Sequence, residues 1–144
     1  MRSAFAAWQL WAFLSAVAAA LTAIFGKVGV EEISSNFATF LRTVFILGVT
    51  AVVVVLSRAQ QPLSTISRRT YLFLMLSALA TGCSWLCYYR ALKLGPASGV
   101  ASIDKLSVVL VALFSVAFLS DSLQPRNWLG IAMIAAGSAL VALR

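Results

Sequence analysis

Histidine is absent from this chain, and the acids number four: Glu31, Glu32, Asp104 and Asp121. Without imidazole, histidine-dependent metal centres and catalytic triads are excluded. A single acid inside an apolar stretch, with no nucleophile–base pair, leaves an intramembrane enzyme too little apparatus. Charged residues make up 10% of the chain, against about a quarter in a soluble domain. Too little polar surface remains to clothe a domain in water. The two cysteines, Cys83 and Cys87, are four apart on one predicted helix. A disulfide within that turn is poorly disposed and two thiols alone make a weak metal site, so they are expected to be small packing residues. Proline is scarce too, and Pro62, Pro96 and Pro125 all fall in expected connections, where a fixed φ and a missing N–H break helices.

What fills the chain is apolar: 62% of 144 residues, with a mean hydropathy of +0.98. Uncharged runs cover 3–26, 70–89 and 127–143. About 20 apolar residues of helix cross a hydrocarbon core, so these runs are of spanning length. Two further spans follow if Arg42 is accepted within 36–57 and Asp104–Lys105 within 98–120. The fold class expected is therefore all-α integral membrane, with five transmembrane helices at about 8–26, 35–57, 71–92, 98–120 and 128–143. A cleaved signal peptide offers another explanation of the start, since Arg2 supplies a charged n-region and Ala18-Ala19-Ala20 small residues. The first uncharged run is longer than an h-region of about 7–15 residues, however, and Trp8 and Trp11 suit an interfacial anchor.

The net charge of +7 points to topology rather than to nucleic acid. Arg2, Arg58, Arg68, Arg69 and Arg126 fall on one side of the predicted spans, with Lys27, Lys93, Arg144 and Arg90 on the other. The cluster at 58–69 favours a cytoplasmic N-terminus and a periplasmic C-terminus. The margin is narrow enough to leave dual insertion open.

A charge within a span costs about 2.5–3.5 kcal/mol on insertion scales, so each needs a reason. Arg42 and Asp104 each lie about four residues from the middle of helices running in the same direction, ~6 Å outward of the midplane. An Arg42–Asp104 pair is allowed if those helices adjoin, serving transport or locking the structure. Lys105 projects about 100° around the helix from Asp104 and is a candidate contact for an anionic group. Polar lining is expected from Ser77, Thr81 and Ser84 on the third helix and from Ser107 and Ser115 on the fourth, each set on one helical face. The competing explanation is packing, since membrane Ser and Thr commonly bond their own i−4 carbonyl. Trp85 falls near mid-membrane with Tyr88 and Tyr89 after it; Trp85 and Tyr88 are candidate path-lining residues for apolar or cationic solutes, and Tyr89 is expected in packing. Asp121 and Arg126 are expected as a solvated pair in a connection. Small residues four apart, Ala16–Ala20 and Ala19–Ala23 in the first helix and Ala132–Ala136 and Ala135–Ala139 in the fifth, allow close helix approach and a contact with another copy or subunit.

From Tyr88 onward the chain reads YYRALKLGPASGVASIDKLSVVLVALFSVAFLSDSLQPRNWLGIAMIAAGSALVAL. This stretch resembles the EamA-like family of the drug/metabolite transporter superfamily. The elements that carry the resemblance are Ala91-Leu92, the Gly95-Pro96 turn, Leu106-Ser107, the acid at Asp121, and Leu129-Gly130 through Gly137. The resemblance extends more loosely over 1–144 as one domain. Where the family usually has Leu-Gly-Glu this chain has Leu119-Ser120-Asp121, and where the family commonly has proline after the Leu-Ser pair Val108 stands here. The charge is kept and the proline is not. No acid lies between Met1 and Val30, so the proton-coupled exchange of the related small multidrug-resistance carriers, which uses a glutamate in the first helix, is unsupported.

The resemblance implies one half of an inverted-repeat carrier for a small organic solute. Such a half works in a bacterial inner membrane by alternating access, as an antiparallel homodimer or beside a paired half-transporter. Its partners are membrane lipid and a small-molecule substrate, and no cofactor is implied. Asp104 is then the coupling acid, Arg42 its counter-ion, and Trp85 and Tyr88 the wall of the path. The alternative, from a different class, is a non-transporting membrane subunit that stabilises or regulates a larger complex.

Overall fold

The structure, a computed structural model, describes residues 7–143. Arg2 and Arg144, two of the charges used for orientation, lie outside the described residues. Every element among the described residues is helical: α1 (Ala7–Gly29), α2 (Ser35–Leu56), a single 3-10 turn at Leu63–Thr65, α3 (Arg68–Leu94), α4 (Ala97–Asp104), α5 (Ser107–Phe118) and α6 (Pro125–Ala142). Four segments are long and apolar enough to cross a membrane: Ala7–Gly29, Ser35–Leu56, Arg68–Leu94, and Ala97–Phe118 counted through the junction of α4 and α5. Large apolar side chains stand exposed along all of them, including Trp11, Phe25, Phe45, Leu56, Phe73 and Phe118. In water such a surface would aggregate; in a bilayer the acyl chains cover it.

The chain divides into two compact units, residues 28–93 and residues 7–27 with 94–143. The first is a helical hairpin. Ser34 caps α2, its hydroxyl accepting the Phe37 N–H at 3.3 Å. At the far end Ser57 is the C-cap and Arg58 turns left-handed at φ 51. The Arg58 N–H then reaches the Val55 carbonyl and the Ala59 N–H that of Val54, both at 3.2 Å. This is a Schellman closure with arginine where glycine is usual. Ser67 opens α3 by accepting the Thr70 N–H at 3.1 Å. The buried residues of the unit, Val30, Ser35, Ala38, Thr39, Tyr89 and Leu92, belong to the start of α2, the end of α3 and the segment before α2. Lys93 fastens that same end, its ammonium donating to the Ile33 carbonyl.

In the second unit α6 packs mainly on α4 and to a lesser extent on α5. Its least exposed positions are Ile131, Ala135, Ser138 and Ala142, spaced i, i+4, i+7 and i+11 along one face. Small side chains there allow close approach to α4, which offers Ala97, Gly99 and Ala101. Lys27 lies in the last turn of α1 rather than in a connection, and its ammonium donates to the Gly95 carbonyl at 3.1 Å. Pro125 also departs from the sequence expectation. It occupies the first position of α6, where a missing N–H costs nothing, and Arg126 follows it into the helix.

The largest difference is in the fourth apolar run. A continuous helix is expected over 98–120, but α4 ends at Asp104 and α5 begins at Ser107. Across the junction the backbone tightens to three-residue bonds: Leu106 N–H to Ile103 at 2.9 Å, Val108 N–H to Lys105 at 3.0 Å and Val109 N–H to Leu106 at 3.0 Å. The run breaks without a proline. Composition conceals it, because Leu106, Val108, Val109 and Leu110 continue the apolar character past the break.

Candidate functional site

Arg42 lies on α2 seven residues past its start, about 10 Å along the helix axis. Trp85 and Tyr89 stand on α3, about 14 and 8 Å before its end. In an antiparallel hairpin these depths coincide, and the structure brings the three side chains together. The Arg42 guanidinium carbon is 4.2 Å from the centre of the Trp85 ring and 5.4 Å from that of Tyr89. Both fall within the ~6 Å reach of a cation–π interaction. Tyr89 is buried, while Arg42, Trp85 and Tyr88 are half-buried. Tyr88 meets Tyr89 edge-on, with ring centres 6.3 Å apart. The negative faces of two rings offset part of the cost of holding a guanidinium at this depth.

Asp104 and Lys105 sit at the broken junction of the other unit. The Lys105 ammonium is 3.9 Å from a carboxylate oxygen of Asp104, and both side chains are exposed. Arg42 and Asp104 thus fall in different units, and each has a partner within its own: aromatic rings for one, the neighbouring lysine for the other. Ser107 is the first residue of α5, at the opened end of that helix.

The polar stripes bond largely to their own backbone. Thr81 donates to the Ser77 carbonyl at 2.9 Å and Ser115 to that of Val111 at 2.6 Å. Thr39, Thr43, Thr50 and Ser102 make the same i−4 bond. Ser77, Ser84 and Ser107 are exposed, and Ser115 is half-buried. Cys83 and Cys87 are free and exposed, and no cluster of three or more metal-ligating side chains occurs among the described residues.

A model of the EamA-like transporter family matches residues 6–143. The chain belongs to the EamA-like transporter family. An uncharacterized transporter from a Sinorhizobium species, named for its place in the cobO 3' region, is 59% identical over 136 residues. That match covers 94% of this chain and 96% of the relative. No solved structure matches. This EamA-like chain is a multi-pass membrane transporter and not an enzyme.

Family membership gives a physical meaning to one departure. Ser120, where the resemblance implies glycine, has φ 56. That is the left-handed region, where a side chain costs about 1–2 kcal/mol and glycine costs little. The turn is kept by doubling up on one acceptor: the Ser115 carbonyl takes the N–H of Leu119 at 2.9 Å and of Asp121 at 3.2 Å.

Two participants were not legible as site residues in the sequence. Tyr89 reads as packing, although Trp85 and Tyr89 are spaced i, i+4 and so share a face. The matched-depth reasoning that links Arg42 to Asp104 applies equally to Arg42 and α3. The helix junction left no proline or glycine to mark it.

Proposed function

We propose that this chain is the five-span half of a secondary carrier, moving a small organic solute across a bacterial inner membrane by alternating access as a dimer. The observation that carries this reading is the interrupted fourth span. A spanning helix that tightens to a 3-10 turn beside an acid and a base is distorted inside the membrane at the charged pair, as helices commonly are at functional hinges. In this reading Asp104 is the coupling acid, Lys105 releases it or contacts an anionic group, and Ser107 and Ser115 line the path on α5. In the hairpin unit, Ser77, Thr81 and Ser84 on α3 are polar lining, and Trp85, Tyr88 and Arg42 are solute-contacting residues.

One EamA-like unit accounts for residues 6–143, which fits function in pairs. The fifth span is α6, and the N-terminus is cytoplasmic with the C-terminus periplasmic. An antiparallel homodimer or a paired half-transporter then completes the carrier. Back-bonding of Thr81 and Ser115 is what favours the alternative, a non-transporting subunit whose hydroxyls serve the helices alone.

Purified chain in lipid vesicles separates the two readings. Vesicles loaded with a pool of small organic acids, amines and neutral solutes should exchange at least one class faster than protein-free vesicles. Asp104→Asn should slow that exchange or remove its pH dependence. Folded, inserted protein that exchanges no class supports the non-transporting subunit. Unaltered exchange and pH dependence in Asp104→Asn refutes the coupling role.

A further inference from the structure

We propose that Arg42, held over Trp85 and Tyr89, is the receptor for a singly charged organic carboxylate with an apolar body. The inference rests on the carrier reading only in taking this ligand to be the transported solute.

A guanidinium has a charge to stabilise and five N–H donors to satisfy. The rings at 4.2 and 5.4 Å address the charge, but a ring face is a poor acceptor for donors that lie in the guanidinium plane. Among the described residues of its unit, Arg42 makes no hydrogen bond, and neither Glu31 nor Glu32 forms an ion pair with it. The fork of N–H groups is therefore presented without an acceptor, and its geometry fits the two oxygens of a carboxylate.

Charge count narrows the class. Of the other cations of this hairpin, Arg58, Arg68, Arg69 and Lys93 lie at or near helix ends, and Lys93 is engaged by the Ile33 carbonyl. Arg90 is exposed about 6 Å before the end of α3, nearer that end than Arg42 is to the start of α2. One fixed positive charge at this depth balances one negative charge, so a monoanion fits and a phosphate dianion leaves charge uncompensated. A cationic solute is disfavoured for a different reason: the Trp85 face that would attract it already holds Arg42. The half-buried Trp85 at the guanidinium, with half-buried Tyr88 packed on Tyr89, supplies surface for an apolar body.

The test uses the full chain in phosphatidylcholine vesicles with Trp85 as its sole tryptophan (Trp8→Phe, Trp11→Phe, Trp128→Phe). Benzoate should change Trp85 emission saturably, and benzamide and benzylammonium should bind at least about tenfold more weakly. Arg42→Lys, which keeps the charge and loses the fork, should weaken benzoate about tenfold, and Arg42→Met should abolish its effect. The proposal is overturned if benzoate gives no saturable change, if benzamide or benzylammonium matches it, or if folded Arg42→Met responds as before. Comparison of the three probes needs no Arg42 variant, so a misfolded variant leaves the test intact. Counterflow of labelled probes separates the two readings. Saturable binding of benzoate without counterflow supports the anion site and sinks carriage of this anion. Counterflow of benzylammonium with no benzoate response overturns the anion site and leaves the carrier standing.

Discussion

Removing Trp85 from beneath Arg42 should destabilise the chain by an amount that depends on whether the arginine is present. In the wild type the guanidinium has two rings, at 4.2 and 5.4 Å. Trp85→Leu leaves only the farther and weaker one. A desolvated cation–π contact over indole is worth about 2 kcal/mol, and an exposed one about 0.5–1. Arg42 and Trp85 are both half-buried, so the pair should lie between these, at about 1–2 kcal/mol. Trp85→Leu also loses packing, and that loss is common to both arms of a cycle. In an Arg42→Leu background only the packing loss remains, and the difference isolates the contact. The assay is reversible unfolding of the purified chain in mixed micelles titrated with SDS, followed by far-ultraviolet circular dichroism. A coupling energy of about 1–2 kcal/mol is the expected result. Trp85→Phe should keep part of it, since indole is the strongest of the aromatic faces. A coupling below about 0.3 kcal/mol, within the scatter of independent sites, would refute the idea that the rings hold the arginine.

Three other changes follow from backbone and loop geometry, and the same unfolding assay reads them all. Ser120→Gly should stabilise by about 0.5–1 kcal/mol, because relief of the left-handed side chain exceeds the added freedom of the unfolded glycine; Ser120→Val should destabilise. Val108→Pro should cost about 1–2 kcal/mol, the loss of the Val108 N–H bond to the Lys105 carbonyl in the first turn of α5, whereas Val111→Pro, further into the helix, should cost about 3 kcal/mol or more. Equal costs for the two prolines would mean the span is continuous after all. Lys93→Met should lose about 0.5–1 kcal/mol, since the bond to the Ile33 carbonyl is exposed and water replaces the charged donor.

The bounds expected for the first, second, third and last apolar segments agree with the observed helices to within about three residues, because length and charge-free composition are strong signals over long apolar runs, although the last segment is not among the four long and apolar enough to cross a membrane. The start of α2 falls where Ser34 and Ser35 announce it. Pro125 misleads because proline both breaks helices and begins them, and only the preceding backbone tells which. The α4–α5 junction is illegible for another reason. Hydropathy measures transfer to lipid, not backbone continuity, and an intramembrane break flanked by Ile103, Leu106 and Val108 leaves that measure unchanged. Arg42 stood out as a costly charge from the sequence alone. Its partners did not, since matched depth fixes a level in the membrane and not which neighbour occupies it.

The central claim is that the α4–α5 junction lies on a path that opens alternately to the two sides. Substituted-cysteine labelling tests it without knowledge of the solute. In a Cys83→Ala, Cys87→Ala background, Ser107→Cys at the head of α5 should react with a membrane-impermeant maleimide added from either side of oriented vesicles. Modification from one side should block modification from the other, and a cysteine at lipid-facing Phe73 should react from neither. Reaction of residue 107 from only one face, or from none, contradicts alternating access and leaves a structural helix junction in its place.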